Sequence, residues 1–198
     1  DYDPAIPPGA PTELSAGEAA IFATGTGDAF VVRTQDAEHP IYVGAYMTGW
    51  QGTMFGVPVD VGGQGDPEFV NVVPAAQYLN AYSFYADPTY PETSLVVVRA
   101  KSRGEFKDVW LECAGTALSD FRPVGTRGDY EFTRVDLAKD FGPGDKFGKN
   151  TCRTGLQRMR SEGPFTATLW GWGRAVSYAT PGGMAYRKLV TMPLVTVQ

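Results

Sequence analysis

The stretch GDPEFVNVVP at residues 65–74 combines strand-forming residues with prolines that favour turns. A second stretch, DPTYPET at residues 87–93, follows closely and combines them in the same way. Asp and Pro support turns, whereas Phe, Val, Tyr and Thr fit a pleated surface. Neither stretch has a pattern typical of catalysis. Together they predict a β scaffold that presents a surface.

Further strand candidates, each bounded by turn residues, are spaced along the rest of the chain. Together with the strand predicted within residues 65–74, the candidates are residues 19–24, 29–34, 41–46, 68–73, 81–85, 94–100, 108–112, 130–137, 166–172, 175–180 and 189–197. A hairpin turn is expected at residues 25–28, between the first two. This pattern predicts an all-β fold in which antiparallel strands form a β-sandwich or a jelly-roll-like double sheet.

Helical periodicity is weak throughout the chain. Its nearest approach is the spacing of Cys152, Leu156 and Met159, which Gly155 interrupts. Because glycine disfavours the helix interior, at most a turn or two of helix is expected there.

The domain organisation follows from composition and length. Residues 1–11 are polar and rich in proline, so they are predicted to form an extended arm or linker. Residues 12–198 are long enough for one core and are predicted to form a single domain. Since the first residue is not Met, the chain is expected to be a processed product or an excised domain.

Charge and hydropathy exclude several partners. The net charge of −5 argues against nucleic acid and anionic membranes, and the chain has no apolar run long enough to span a bilayer. The charge is uneven, because residues 1–32 contain five acids and no Lys or Arg, whereas residues 139–160 contain six bases and two Asp. These ends are either ordinary solvated surface or complementary surfaces for head-to-tail self-association.

The two cysteines, Cys113 and Cys152, leave two interpretations open. They form one disulfide if the protein is exported, or they are two buried thiols if it is cytosolic. The chain has no CxxC motif and no Cys/His cluster, so a zinc site is not expected.

Catalytic patterns are weak, and no catalytic residue is predicted. His39 is the only histidine and lies in a turn before a strand, and no G-x-S-x-G motif is present. A glycosidase needs only two carboxylates at the right separation, so a carbohydrate-active enzyme stays an alternative. Its candidate carboxylates are Asp66, Glu68, Asp87, Glu92, Glu112 and Glu131.

No cofactor is expected, apart from a weak possibility of calcium. Asp66, Glu68 and Asp87 lie in turn-like contexts and supply the oxygen ligands that calcium prefers. The alternative is that Asp66 and Asp87 cap turns before proline through their side chains.

Two sets of aromatic residues are candidate contact sites. The glycine-rich segment 44–65 is long for a compact domain and contains Tyr46, Met47, Trp50, Met54 and Phe55. It predicts either a ligand-contact loop or a cap that folds back on one end of the sandwich. Trp170 and Trp172, which alternation puts on one strand face, form a possible sugar platform together with Tyr178. That face could equally belong to the core.

Several blocks, in this order, resemble the IgGFc-binding domain family, which occurs in a vertebrate mucus protein and in secreted bacterial proteins. The matching residues are 45–49, 65–74, 77–79, 87–93, 95–99, 109–115, 163–165, 170–172 and 177–178. The resemblance implies a secreted, non-enzymatic domain, and the composition is typical of a bacterial member. It also implies that the family's cysteine pair corresponds to Cys113 and Cys152.

The sequence hypothesis is therefore a non-catalytic adhesion or binding domain at the cell surface or outside the cell, with a protein or glycan ligand. The alternative is a structural subunit of an extracellular filament or sheath. In that case the acidic segment 1–11 would add a strand to a neighbouring molecule, with the basic region 139–160 as one complementary surface.

Overall fold

The computed structural model describes residues 1–24, 27–49, 51–54, 57–60, 65–187 and 189. Within them the regular structure is almost entirely β, and a short 3-10 helix covers Ala75–Gln77. The strands in chain order are β1 Tyr2–Asp3, β2 Val31–Val32, β3 Gly44–Thr48, β4 Gln51–Met54, β5 Val57–Asp60, β6 Pro67–Asn71, β7 Leu79–Ala86, β8 Glu92–Ala100, β9 Val109–Leu111, β10 Thr116–Ala117, β11 Arg122–Val124, β12 Tyr130–Lys139, β13 Gly142–Pro143, β14 Lys146–Phe147, β15 Asn150–Thr151, β16 Gly155–Gly173 and β17 Val176–Pro181.

The long strand β16 organises a nine-stranded antiparallel sheet. Its first half pairs with β7 and β9, and its second half pairs with β8 and β17. The register shifts between Arg160 and Phe165, where the ladder with β7 is irregular. Such an irregularity bends a strand and increases its twist. The sheet therefore curls, and the two halves of β16 pair with different strands.

The core lies on the inner face of this curled sheet. Along β16 the buried side chains Phe165, Ala167 and Leu169 alternate with more exposed ones, as the two-residue period of a strand requires. They belong to one cluster with Leu95 and Val97 of β8, as well as buried residues of β7, β9 and β12. The Phe165 ring is fully buried and packs edge-on against Tyr82 at 4.9 Å.

The sequence prediction of an all-β fold is confirmed, and most of the strand predictions are correct within a few residues. The best are the apolar run 94–100, found as Glu92–Ala100, and the segment 130–137, found as Tyr130–Lys139. Residues 190–197 of the predicted strand 189–197, and the turn residues 25 and 26, lie outside the described part of the chain.

Three local predictions differ from the structure. Residues 19–24 form no strand, and Ile21 in their middle is 92% exposed. Residues 29–34 contribute only Val31–Val32. The suggested helical turn around Cys152, Leu156 and Met159 is replaced by the start of β16, where Met159 is buried opposite Leu111.

The first residues of the chain are attached to the domain. β1 pairs with β2, and the carboxylate of Asp3 is 4% exposed. It accepts hydrogen bonds from the backbone N–H and the hydroxyl of Thr126, at 2.8 and 2.7 Å. Arg127 forms an ion pair with Asp1. Residues 1–3 therefore have an intramolecular partner that the sequence did not indicate, while the division at residue 11 stays a prediction.

The disulfide prediction is confirmed. Cys113 and Cys152 are bonded to each other across a sequence separation of 39 residues. Cys152 is fully buried in the core cluster, and Cys113 packs against that cluster just after β9. The bond therefore ties the end of β9 to the segment that leads into β16.

None of the described helical residues forms a segment long and apolar enough to cross a bilayer.

Candidate binding groove

The candidate site lies on the outer face of the second half of β16. Trp170 and Trp172 alternate with the buried residues Leu169 and Gly171, so they point away from the core. Ser94 on β8 is the cross-strand partner of Trp170, and Asp136 on β12 is the partner of Ser94. Both tryptophans are half-buried. The outer face of these strands therefore carries aromatic and polar side chains in register.

The antiparallel pair of β3 and β6, called the β3–β6 hairpin here although β4 and β5 intervene in the chain, lies beside this face. In its ladder Tyr46 is opposite Phe69, and Met47 is opposite Glu68. The hairpin is attached to the main sheet through the backbone N–H of Gly65, which donates to the carbonyl of Gly173 at 2.7 Å. The Ser177 hydroxyl also donates to the carbonyl of Asp66 at 2.6 Å. These bonds hold the hairpin next to the tryptophan-bearing end of β16.

An open groove of about 350 Å³ lies between the hairpin and the sheet. Its size is within the range of ligand sites in proteins. The described side chains that line it are Tyr46, Met47, Ser94, Val96, Arg134, Trp170 and Trp172. Residues from two separate candidate sites, the glycine-rich segment 44–65 and the strand β16, therefore line a single groove.

Arg134 is the only charged residue among these described lining side chains, and it was not among the residues predicted from the sequence. It lies on β12, which is separated from β16 by β8 in the sheet order. Its guanidinium nevertheless lies over the Trp172 ring, at 5.6 Å from the ring centroid, so the side chain reaches across β8. The strand alternation of residues 130–137 could have placed Arg134 on the outer face, but only the register shows that it reaches Trp172.

Asp136 fixes the polar side of the groove. Its carboxylate accepts hydrogen bonds from the Ser94 hydroxyl at 2.7 Å and from Nε of Arg134 at 3.0 Å. Lys139 Nζ lies 3.1 Å from the other carboxylate oxygen. Partial burial raises the pKa of Asp136, but the hydrogen bonds from Ser94 and Lys139 and the charge of Arg134 outweigh it and leave the pKa lowered. Asp136 is therefore ionised near neutral pH and orients Arg134.

Tyr178 does not join the two tryptophans. Its cross-strand partner is Gly171, which belongs to the inner face of β16. The Tyr178 ring occupies the space where a Cβ atom on Gly171 would stand, and it packs edge-on against Tyr90 at 4.6 Å. Burial raises the pKa of Tyr178. Of the predicted sugar platform, only Trp170 and Trp172 share a face.

The rim of the groove continues onto the outer side of the hairpin. Tyr46 is 70% exposed, and its ring lies 4.9 Å from that of Phe69. Tyr42 is equally exposed, and its ring is 6.3 Å from Phe69. Of the other predicted loop residues, Trp50, Phe55 and the side chain of Met54 lie outside the described part of the structure.

The calcium candidates are separated into two places. Asp66 and Glu68 lie at the start of β6, whereas Asp87 follows β7. The Asp87 carboxylate accepts hydrogen bonds from the N–H and the hydroxyl of Thr89, at 2.8 and 2.7 Å, which is the turn-capping alternative. Among the described residues no group of three or more His, Cys, Asp or Glu is placed to hold a metal ion.

The other catalytic candidates have structural partners. Glu131 binds Arg99 at 2.7 Å, and Glu112 binds Arg158 at 2.9 Å. A carboxylate oxygen of Glu92 accepts the backbone N–H of Asp140. His39 is 2.6 Å from the carboxylate of Asp36 on an exposed turn. None of these carboxylates is among the described side chains that line the groove.

The fold is that of an all-β, disulfide-bonded domain. The family model described as IgGFc binding protein matches residues 1–171, and the chain belongs to this family. It is a binding family that is not known for enzymatic activity. Comparisons with curated proteins and with solved structures found no match.

Proposed function

We propose that this chain is an extracellular, non-catalytic adhesion or binding domain, and that it holds its ligand in the groove between the β3–β6 hairpin and the outer face of β16. The observation that carries the proposal is the meeting of Tyr46, Trp170, Trp172 and Arg134 around one concave surface. Half-exposed aromatic rings with one fixed charge are typical of binding sites, where they supply contact area and orientation.

Two observations support an extracellular location. The Cys113–Cys152 bond is of the kind that persists in oxidising compartments. The family is also one of extracellular or surface proteins, and its description names binding to a protein, the Fc part of IgG. Both support a domain that meets its ligand outside the cell.

The filament alternative has lost its main argument. It required a free N-terminal segment that adds a strand to a neighbouring molecule. Residues 1–3 instead pair with β2, and Asp3 is bound by Thr126. Strand donation would first have to break these contacts.

The test compares tryptophans inside and outside the groove. The purified domain is applied to a printed glycan array and to a panel of immobilised extracellular proteins that includes IgG Fc. Trp172→Ala and Trp170→Ala are expected to weaken capture by the ligand found there by about tenfold or more, because aromatic anchors dominate binding energies. Trp110→Ala is the matched control, since Trp110 lies on β9 beneath Arg160 and does not line the groove.

Each variant is first compared with the unsubstituted domain in thermal unfolding, so that a loss of fold is not mistaken for a loss of binding. A ligand that binds the two groove variants and the unsubstituted domain equally well would contradict the proposed location. Loss of binding in Trp110→Ala alone would move the site to another face.

A further inference from the structure

The guanidinium of Arg134 is held in place from two sides. Its Nε donates to Asp136 at 3.0 Å, and its Cζ lies over the Trp172 ring at 5.6 Å from the centroid. Asp136 is itself fixed by Ser94 and Lys139. An Arg side chain that is fixed in this way has already lost much of the conformational freedom that binding would otherwise cost.

The outward N–H groups of that guanidinium are not used by the described residues. Nη1 and Nη2 of Arg134 make no hydrogen bond to the described residues, and the side chain is 51% exposed. Asp136, the carboxylate bound to Arg134 through Nε, also accepts hydrogen bonds or charge from Ser94 and Lys139, so it is already shared among several donors. A fork of two N–H groups beside an aromatic ring matches a carboxylate that projects from a ring-shaped ligand.

The floor of the groove favours a sugar over an extended peptide. β8 is hydrogen-bonded to β12 on one side and to β16 on the other, and β16 is bonded to β8 and β17. Their backbone N–H and C=O groups are therefore used within the sheet. A peptide that binds by strand addition needs a free sheet edge, whereas a sugar ring can bind through side chains alone.

The tryptophans supply the remaining contact. Trp170 and Trp172 are alternate residues on one face of β16, so their Cα atoms lie about 7 Å apart along the strand. The apolar face of a sugar ring can pack on either indole, while Tyr46 lines the opposite side of the groove. The Arg134 guanidinium covers part of the Trp172 ring, so its charge lies beside a sugar ring that packs on Trp170 or on the uncovered part of Trp172.

We propose that the groove binds a glycan that carries a carboxylate, namely a sialic acid or uronic acid residue, with the sugar ring on Trp170 or Trp172 and the carboxylate on the two outward N–H groups of Arg134. The inference rests on the proposed function, because it names the ligand class of the same groove. It assigns Arg134 as the residue that selects acidic over neutral sugars.

The experiment uses pairs of glycans that differ in charge. Binding of 3′-sialyllactose is compared with that of lactose, and a hyaluronan hexasaccharide with chitohexaose, by surface plasmon resonance on the immobilised whole chain. We expect one acidic member to bind about tenfold or more tightly than its neutral counterpart, the effect of hydrogen bonds to a charged group. Arg134→Gln is expected to abolish that preference, while the domain stays folded because Asp136 keeps Ser94 and Lys139.

Arg122→Gln is the matched control. Arg122 lies over the ring of Phe132 at 4.6 Å on the same side of the sheet, but it does not line the groove. The preference for acidic glycans should survive this change. If Arg134→Gln does not fold, Arg134→Lys replaces it, since Lys keeps the charge and loses the fork, and most of the preference should disappear.

Three results would overturn the inference. One is equal binding, or equal absence of binding, of the acidic and neutral members of both pairs. Another is an unchanged preference in Arg134→Gln. The third is stronger binding of an acidic peptide, such as an acetylated Gly-Trp-Glu tripeptide, than of any glycan in the test. Each of these results would overturn only the acidic-glycan inference. If some other ligand binds the unsubstituted domain but not the Trp172→Ala variant, the proposed binding function of the groove still holds, so failure of the inference and failure of the proposed function are distinguishable.

Discussion

Removing the disulfide is expected to cost the domain a large part of its stability. The perturbation is the double substitution of Cys113→Ala and Cys152→Ala. It deletes the bond that joins the end of β9 to the segment before β16. The double variant is preferable to either single one, because a single substitution leaves a free thiol in the core.

The expected magnitude follows from the length of the closed loop. The two cysteines are 39 residues apart. The chain-entropy relation for a loop of this length gives about 4 kcal/mol of lost stability at 25 °C. Typical small domains have free energies of unfolding of about 5–15 kcal/mol, so the loss is a substantial fraction of the total. The buried position of Cys152 adds to the cost, since its sulfur packs in the core cluster.

The assay is equilibrium unfolding in urea, followed by tryptophan fluorescence, on the oxidised domain and the double variant. The midpoint should fall, and the slope with urea should rise, because an unfolded chain without the cross-link exposes more surface. The unsubstituted domain unfolded with a reductant present is the control and should resemble the variant. A loss of less than about 1 kcal/mol with an unchanged slope would refute the reasoning.

Two other predictions concern residues that join distant parts of the fold. The hydrogen bonds from the Thr126 side chain and backbone lower the pKa of Asp3. The stability that the ionised Asp3 carboxylate contributes is therefore complete above about pH 4, and it is lost as the pH falls through the lowered pKa. Asp3→Asn should therefore lower the urea midpoint of unfolding at neutral pH and have little effect on it in strong acid. An equally large decrease of the midpoint at both pH values would contradict this. Gly171→Ala should destabilise the domain by about 1–3 kcal/mol, because the new methyl group meets the Tyr178 ring. A melting temperature equal to that of the unsubstituted domain would contradict this, since it would show that the ring moves without cost.

The sequence was most informative where one strand carries its own signal. The apolar run of β8 and the alternation of β12 identify these strands without knowledge of their neighbours, and the two cysteines have only each other as partners. Residues 19–24 carry a similar signal but form no strand. A strand needs a neighbour for its backbone hydrogen bonds, and the described residues provide none for this segment.

The site was predictable only in part, because it depends on register. Alternation along β16 put Trp170 and Trp172 on one face, and this is what the structure shows. Whether Tyr178 joins them depends on which residue of β17 stands opposite Gly171, and no local pattern reveals that pairing. Arg134 was missed for the same reason, since its contact with Trp172 spans three strands.

The most direct test of the binding groove is a titration of the ¹⁵N-labelled domain followed by the NMR signals of its four tryptophan indole N–H groups. The titrant is the glycan or protein captured most strongly in the binding screen, or 3′-sialyllactose for the more specific inference. The indole signals are assigned by substituting each tryptophan in turn. The account predicts that the signals of Trp170 and Trp172 shift in proportion to bound ligand while that of Trp110 stays in place. A bound ligand that shifts Trp110 and leaves Trp170 and Trp172 unchanged would contradict it.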